Sequence, residues 1–316
     1  MSRPTAPARR FALLVNPVAG GGAAPRVAVP LARRLREAGA DVEVAYTSGP
    51  GDARDLVKAA AADGRVVVSV GGDGMLSSVA GAAADEGAVL AVVPAGRGND
   101  FARMLGVPEE PDAQAGLLLG GTPTPVDLLA VAVPGRPAVL VAGSAYAGVD
   151  ARAAQIVDRS RWLPSRLQYP VAAVRALASY RPVDLAVRVT APDGRIRESE
   201  HRAACVVVAN SRYYGNGMAI APGAAVDDGE LDVVVVEAGS RPELIRRLPK
   251  VYDGGHVALP QVTVLRGTRV ALTGTYERSG APVPAGADGE PLGDLPGRGA
   301  EPLEVELRPG AVRFLR

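Results

Sequence analysis

Residues 66–74 read VVVSVGGDG, in which the apolar run Val66 to Val70 is followed directly by a glycine-rich turn. Two other apolar runs of the first hundred residues end in the same way, Phe11 to Val15 before NPVAGGG and Val89 to Val93 before PAGRGND. Segments with apolar residues at helical spacing lie between the runs. The alternation of continuous apolar strands with helices predicts a parallel sheet that is covered on both faces.

The three glycine-rich turns should meet at one edge of that sheet, because ligands of parallel sheets lie at the carboxyl ends of the strands. Glycine lets the backbone and the helix N-termini approach phosphate groups. Any one such turn is equally consistent with an ordinary strand-to-helix connection, but three together favour a phosphate-binding site. The GGDG turn lacks a third glycine at Ser77, so it is not a dinucleotide fingerprint.

The pattern changes after Asp127, where strands dominate and Pro192-Asp193-Gly194 predicts a hairpin turn. We therefore predict an α/β fold with a parallel-sheet nucleotide-binding domain over residues 1–127. A second, mainly antiparallel and sandwich-like β domain is predicted over residues 128–302. The last strands, within residues 303–316, can return to the first domain.

Composition excludes several functional classes. The chain has 316 residues, with 35 basic against 34 acidic side chains, so no global charge attracts nucleic acid or an anionic membrane. The only lysines are Lys58 and Lys250, and neither follows a glycine, so the common phosphate-binding loop is absent. The single Cys205 allows no intramolecular disulfide, which favours a reducing setting. No apolar stretch approaches the roughly 18 residues that a membrane-spanning helix needs.

Motifs along essentially the whole chain resemble the diacylglycerol kinase catalytic-domain family and its bacterial lipid kinase relatives, which are diacylglycerol- and sphingosine-kinase-like. The resemblance rests on the combination and order of the motifs, since GGDG alone also suits NAD kinases. They are NPVAG (Asn16–Gly20), GGDG (Gly71–Gly74), PAGRGNDFAR (Pro94–Arg103), NSRYYGNGM (Asn210–Met218), DDGELD (Asp227–Asp232) and DGE (Asp288–Glu290).

The resemblance implies an ATP- and Mg²⁺-dependent kinase that phosphorylates the hydroxyl of diacylglycerol or a related lipid, with its active site in the interdomain cleft. The second domain would hold the acyl chains. The positions that it places around ATP are Asn16, Pro17, Gly20, Thr47, Gly71, Gly72, Asp73, Gly74, Met75, Ser78, Gly96, Arg97, Asn99 and Asp100.

Asp73 is a carboxylate among predicted phosphate-binding residues, where it would repel the phosphates unless a cation lies between them. We therefore assign it to the catalytic Mg²⁺ or its water shell. The alternative is a helix N-cap. Two positions depart from the family pattern: Met75 replaces the usual threonine after GGDG, and Arg97 replaces a threonine or serine and could contact phosphate or pair with Asp100.

A second, structural Mg²⁺ site is implied by the resemblance. Asp228 would be a direct ligand, the carbonyls of Ala225 and Glu230 would assist, and Asp127 would bind through water. Mixed carboxylate and carbonyl oxygens are suitable ligands for this cation. A plain Asp-Asp-Gly turn before a strand is the open alternative.

Phosphoryl transfer to an alcohol needs a carboxylate close to the attacking hydroxyl. The resemblance assigns this role to the acidic pair of the DGE motif. We take Glu290 as the general base and Asp288 as a supporting group or the alternative base. Without the resemblance, Asp-Gly predicts only a hairpin turn.

The expected partners are a diacylglycerol-like lipid and a membrane surface, with no nucleic acid, and a homodimer is left open. We expect a cytoplasmic protein that associates peripherally with the membrane, where Trp162 among its neighbouring arginines is a candidate contact. Two alternatives remain: a kinase of the same family that acts on a soluble alcohol or specialised metabolite, or a catalytically weak nucleotide or lipid sensor.

Overall fold

Parallel strands form the N-terminal part of the protein, of which the computed structural model describes residues 9–159 and 165–316. The elements are β1 (Arg10–Val15), α1 (Ala24–Glu37), β2 (Asp41–Tyr46), α2 (Pro50–Ala62), β3 (Val66–Gly71), α3 (Asp73–Asp85), β4 (Val89–Pro94), α4 (Asp100–Met104) and α5 (Pro111–Gly120). The strand order is β4-β3-β1-β2, and all three pairings are parallel. Residues Arg313 and Phe314 extend this sheet beside β4.

Burial explains why these segments take up this arrangement. Phe11 to Val15 of β1 are all buried, as expected of a central strand that is covered on both faces. In α1, Leu31 and Leu35 lie one helical turn apart and are buried against the sheet. Gly39 adopts a left-handed conformation directly after the helix, which ends it before β2.

Antiparallel strands dominate the rest of the chain. The elements are β5 (Pro123–Ala132), β6 (Val139–Val141), β7 (Ser144–Gly148), α6 (Val149–Arg159), α7 (Ser165–Ala178), β8 (Val183–Thr190), β9 (Ile196–Ala209), β10 (Leu231–Glu237), α8 (Arg241–Arg247), α9 (Pro249–Tyr252), β11 (Val262–Gly267), β12 (Arg269–Tyr276), β13 (Val283–Ala287), β14 (Glu290–Leu295) and β15 (Leu303–Leu315). The order β14-β13-β7-β9-β8-β12-β15 is antiparallel throughout, and β10 pairs with both β9 and β11. The predicted fold class, a parallel α/β region followed by a mainly antiparallel β region, is confirmed.

Contacts divide the chain into two compact units. The N-terminal unit comprises the chain up to Val126 together with residues 310–316, and the C-terminal unit comprises Asp127–Pro309. Each unit has its own apolar core, centred on β1, β3 and β4 in the first and on β8, β9, β10 and β12 in the second.

Three strands were not recognised from the sequence. Strand β7 has the sequence SAYAG, and β13 and β14 lie in the Gly- and Pro-rich stretch 279–299. Small residues, Gly and Pro have little intrinsic preference for strands, so pairing with neighbours fixes these segments instead. Pro291 is tolerated because, within the described residues, β14 pairs on one side only.

Within the described residues, no helix is both long and apolar enough to cross a membrane. Trp162, the candidate membrane contact, lies outside the described residues.

Candidate functional site

The loops that follow β1, β3 and β4 lie against one another in the N-terminal unit. The Asn16 N–H donates to the Val70 carbonyl at 3.1 Å. The Ala95 N–H donates to the Gly71 carbonyl at 2.9 Å. Gly20 has a φ of +57°, and a Cβ there would lie 2.4 Å from the Ala95 carbonyl oxygen. The sheet thus brings the three glycine-rich loops together.

Two glycines allow the second and third loops to touch. A Cβ at Gly96 would lie 2.3 Å from the Gly72 Cα, and one at Gly72 would lie 3.2 Å from the Gly96 Cα. The backbones can approach this closely only because neither residue has a side chain. Gly72 is also the residue before α3, and no side chain caps that helix. Bare backbone at the N-terminus of a helix is a suitable place for a phosphate group.

Asp73 connects the second loop to the third. Its Oδ1 accepts the Phe101 N–H at 3.1 Å, so it caps the neighbouring helix α4 rather than its own. Its Oδ2 makes no hydrogen bond to the residues that the structure describes. Capping therefore uses one oxygen of the carboxylate, and the other fits a hard cation or a water molecule bound to it.

The side chains of the third loop mainly shape the loop itself. Asn99 has a φ of +54°, and its Oδ1 accepts the Gly96 N–H at 2.8 Å. Asp100 is buried and accepts a hydrogen bond from Arg103 at 2.5 Å. Arg97 is exposed. The loop conformation is thus held by Asn99 and Asp100.

The other predicted nucleotide-binding side chains also contact main-chain groups of the protein. Asn16 Oδ1 accepts the Val18 N–H at 3.1 Å, beside the exposed Pro17. The Thr47 hydroxyl lies 3.5 Å from the Val15 carbonyl oxygen. The Ser78 hydroxyl donates to the Gly74 carbonyl at 3.2 Å, and the Met75 side chain lies over Gly71. Main-chain N–H groups are therefore the principal phosphate donors that these loops offer.

The Asp288 carboxylate in the C-terminal unit is held by three consecutive backbone N–H groups. Oδ2 accepts the Ala142 N–H at 2.9 Å, and Oδ1 accepts the Ser144 N–H at 2.8 Å. The Gly143 N–H lies 3.1 and 3.0 Å from the two oxygens. A Cβ at Gly143 would lie 2.6 Å from Oδ1, so only glycine leaves room for this contact. Asp288 itself has a φ of +45°, in the left-handed region.

Glu290 is two residues further along, at the start of β14, and is exposed. The intervening Gly289 N–H donates to the Tyr146 hydroxyl at 3.0 Å. The turn between β13 and β14 is thus fixed at two points, by the contacts of the Asp288 carboxylate and by the hydrogen bond from the Gly289 N–H to Tyr146. It presents the Glu290 carboxylate to its surroundings, while the Asp288 carboxylate points back into its own unit.

Asn210 ties the support of this turn to Asp127. Its Nδ2 donates to the Ala142 carbonyl at 2.9 Å and to the Asp127 carbonyl at 2.7 Å. Asn210 is completely buried. The Asp127 Oδ2 accepts the Gly229 N–H at 3.0 Å. The network therefore continues into the DDGELD segment (Asp227–Asp232), which we call the acidic turn.

An arginine of β11, Arg266, pairs with the carboxylates of the acidic turn. Asp228 and Glu230 both form ion pairs with Arg266, and Asp232 lies close to it as well. Burial raises the pKa of Asp232 to about 6, against the opposing effect of Arg266. Both carboxylate oxygens of Asp228 and the Oδ2 of Asp127 already contact protein groups, so the residues as arranged do not fit a Mg²⁺ ion.

Sequence reasoning missed Gly143, Ser144, Tyr146 and Arg266 as parts of these networks. Of these, only Gly143 could have been found from the sequence. A glycine between small residues before a strand indicates that another group packs closely against the backbone there. The other three act through contacts that are remote in sequence, and no local pattern reveals them.

Comparison with known proteins gives matches over nearly the whole chain. Residues 10–131 match the diacylglycerol kinase catalytic domain. Residues 143–316 match the YegS C-terminal NAD kinase beta sandwich-like domain. These two matches account for both units of the structure.

Relatives of similar length were also found. A "Diacylglycerol kinase" of Mycobacterium tuberculosis is 32% identical over 308 residues, covering 96% of this chain and 94% of that protein. A "Probable lipid kinase YegS-like" of Stenotrophomonas maltophilia is 31% identical over 314 residues, covering 96% and 95%. A crystal structure of a diacylglycerol kinase from Bacillus anthracis has a TM-score of 0.69 at 21% identity and covers 98% of each chain, which shows a shared fold.

Proposed function

The chain belongs to the diacylglycerol kinase family of lipid kinases, and we propose that it uses ATP and Mg²⁺ to phosphorylate the hydroxyl of diacylglycerol or a related lipid. The observation that carries the nucleotide part is the backbone contact between Gly72 and Gly96 beside the start of α3. It supports a phosphate site built from main-chain donors, which is what a kinase without a phosphate-loop lysine requires.

In this proposal the loops of the N-terminal unit orient the triphosphate. The uncapped N–H groups at the start of α3, just after Gly72, donate to its oxygens, and the exposed Arg97 adds a positive charge nearby. Asp73 is the residue that would hold Mg²⁺, directly or through water, with the carboxylate oxygen that does not cap α4. The cation, when bound, supplies neutralisation of the phosphate charge.

In the C-terminal unit, we assign different roles to Glu290 and Asp288. Glu290 accepts the proton of the lipid hydroxyl. The hydroxyl oxygen forms a bond to the terminal phosphorus of ATP, and the bond from that phosphorus to ADP breaks. Asp288 is a positioning residue, because its carboxylate is occupied by the N–H groups of residues 142–144. We therefore propose Glu290 as the base and Asp288 as the supporting group of the acidic pair.

A transfer experiment tests the proposal. Purified protein is incubated with terminally radiolabelled ATP and Mg²⁺, together with either extracted membrane lipids or cell-soluble metabolites. We expect label in a lipid product with wild-type protein and none with Asp73→Ala or Glu290→Gln. Label in a soluble product would assign a soluble alcohol as the acceptor instead. Nucleotide or lipid binding without any transfer would favour a sensor.

The acceptor also determines where the protein works. A lipid with long acyl chains remains in a bilayer, so the kinase must meet it at a membrane surface. We therefore expect the protein to sediment with vesicles that contain diacylglycerol. Equal sedimentation with and without vesicles would argue against a bilayer-bound acceptor.

A further inference from the structure

We propose that Arg266 is the built-in cation of the acidic turn and takes the place of a structural Mg²⁺ ion. Its Nη2 forms an ion pair with Asp228 Oδ2, and its Nη1 lies 3.0 Å from Glu230 Oε2. Its Nε lies 3.7 Å from Asp232 Oδ1. One guanidinium therefore meets three carboxylates, at the position where the family resemblance predicts a metal.

Three of the carboxylate oxygens expected near a metal already have protein partners. Asp228 Oδ1 accepts the Glu230 N–H at 3.1 Å, while its Oδ2 pairs with Arg266. Asp127 Oδ2 accepts the Gly229 N–H at 3.0 Å. Magnesium requires short oxygen contacts in near-octahedral geometry. An incoming ion would thus have to displace the guanidinium and rearrange the turn.

The sheet itself places Arg266 here. Arg266 of β11 is directly opposite Asp232 of β10 in the antiparallel pairing, so the register fixes the pair. The Asp232 side chain is only 5% exposed, and a buried carboxylate needs a compensating cation. The planar guanidinium, with five donors, can serve several carboxylates at once, which a lysine cannot do as well.

The first test is a stability comparison of two arginines. Arg266→Gln leaves Asp232 buried without its cation, and we expect the midpoint of thermal unfolding to fall by about 3–6 °C. Arg188→Gln is the matched control, because Arg188 also pairs with a residue across an antiparallel strand pair but is exposed, as is its partner Glu198. We expect that control to change the midpoint by less than about 1 °C. Equal effects of the two substitutions would overturn the proposal.

The second test measures the response to metal without nucleotide and does not require Arg266→Gln to fold. It uses Asp73→Ala as the background, so that the proposed catalytic Mg²⁺ site does not contribute. We expect the unfolding midpoint of this protein to be the same in excess EDTA and in millimolar MgCl₂. If Arg266→Gln folds, Mg²⁺ should raise its midpoint, because the three carboxylates then lack a cation.

A midpoint of the Asp73→Ala protein that falls in EDTA and recovers with Mg²⁺ would overturn the proposal, provided that Asp228→Asn abolishes the response. Asp232 Oδ2, which has no hydrogen-bond partner among the described residues, would then be a candidate ligand. The outcome does not depend on the acceptor of the kinase, since no substrate is present.

Discussion

The two candidate site regions are anchored in opposite ways. In the N-terminal unit, the second and third glycine loops can pack together because side chains are absent where they touch, since Gly72 and Gly96 approach backbone to backbone. In the C-terminal unit, the turn that carries Glu290 is held by a side chain, the Asp288 carboxylate, which accepts three backbone N–H groups. No side chain caps the N-terminus of α3 in the first region. In the second region the Asp288 carboxylate occupies the main-chain N–H groups.

This difference explains what each motif does. Gly20, Gly72 and Gly96 leave room for close backbone contacts, so a Cβ at any of them should push the loops apart. The negative charge of Asp288 binds the N–H groups of residues 142–144, so removing this charge should loosen the turn and displace Glu290. Substitutions in the two regions should therefore fail for different reasons, and the following predictions test this distinction.

The largest effect is expected from Glu290→Gln. Loss of the general base should lower the phosphoryl-transfer rate by about 10²- to 10⁴-fold, while thermal stability stays the same because the side chain is exposed. Steady-state kinetics and thermal unfolding measure the two quantities. Glu301→Gln, at another exposed glutamate of the C-terminal unit, is the control. A large loss of stability in Glu290→Gln would show that Glu290 is structural.

Gly96→Ala should disrupt the N-terminal unit. The new Cβ would lie 2.3 Å from the Gly72 Cα, so the loops must separate, at a cost of about 1–3 kcal/mol and with loss of ATP affinity. Denaturant unfolding and ATP-binding calorimetry measure these changes. Gly116→Ala is the matched control, because a Cβ on that exposed glycine of α5 meets nothing within 4 Å. That control should be neutral or stabilising by about 0.4–1 kcal/mol.

Asp288→Asn and Gly143→Ala should produce the same defect from opposite sides of one contact. The first removes the charge that the N–H groups bind, and the second places a Cβ 2.6 Å from Asp288 Oδ1. Each should lower the free energy of unfolding by about 1–3 kcal/mol, and the double variant should be little worse than either. Additive losses would contradict a shared contact.

The smallest effect concerns the acid sensitivity that His256 contributes in the C-terminal unit. Burial lowers the pKa of His256, whose Nε2 lies 3.0 Å from the Ile220 carbonyl oxygen. The folded state therefore keeps this ring neutral where the unfolded chain takes up a proton, so the contribution of His256 to stability falls as the pH drops below about 6.5.

His256→Gln should reduce this loss, as measured by urea unfolding between neutral and mildly acidic pH. His201→Gln is the control at the other histidine. An unchanged pH dependence in His256→Gln would exclude His256 as its source.

The sequence predicted the first region better than the second for a physical reason. Strand β3 and the turn after it carry both the apolar run and the glycines within nine residues, so local pattern was sufficient there. The parallel topology then required the three loops to meet.

The support of Asp288 could not be predicted in the same way. Its partners Ala142 to Ser144 lie more than 140 residues earlier, and they contribute backbone rather than side-chain groups. Strand β7, which begins at Ser144, has no residue pattern typical of a strand. Arg266 lies 38 residues after Asp228, and only the register of β10 and β11 brings it to the acidic turn.

The dependence of the transfer rate on pH, measured in single-turnover experiments for wild type, Glu290→Gln and Asp288→Asn, tests the division of work between the two carboxylates most directly. A carboxylate base must be ionised to accept the proton, so the wild-type rate should fall on the acid side. We expect this fall to persist in Asp288→Asn, at a lower overall rate, and to disappear in Glu290→Gln. Its persistence in Glu290→Gln and disappearance in Asp288→Asn would contradict the account and make Asp288 the base.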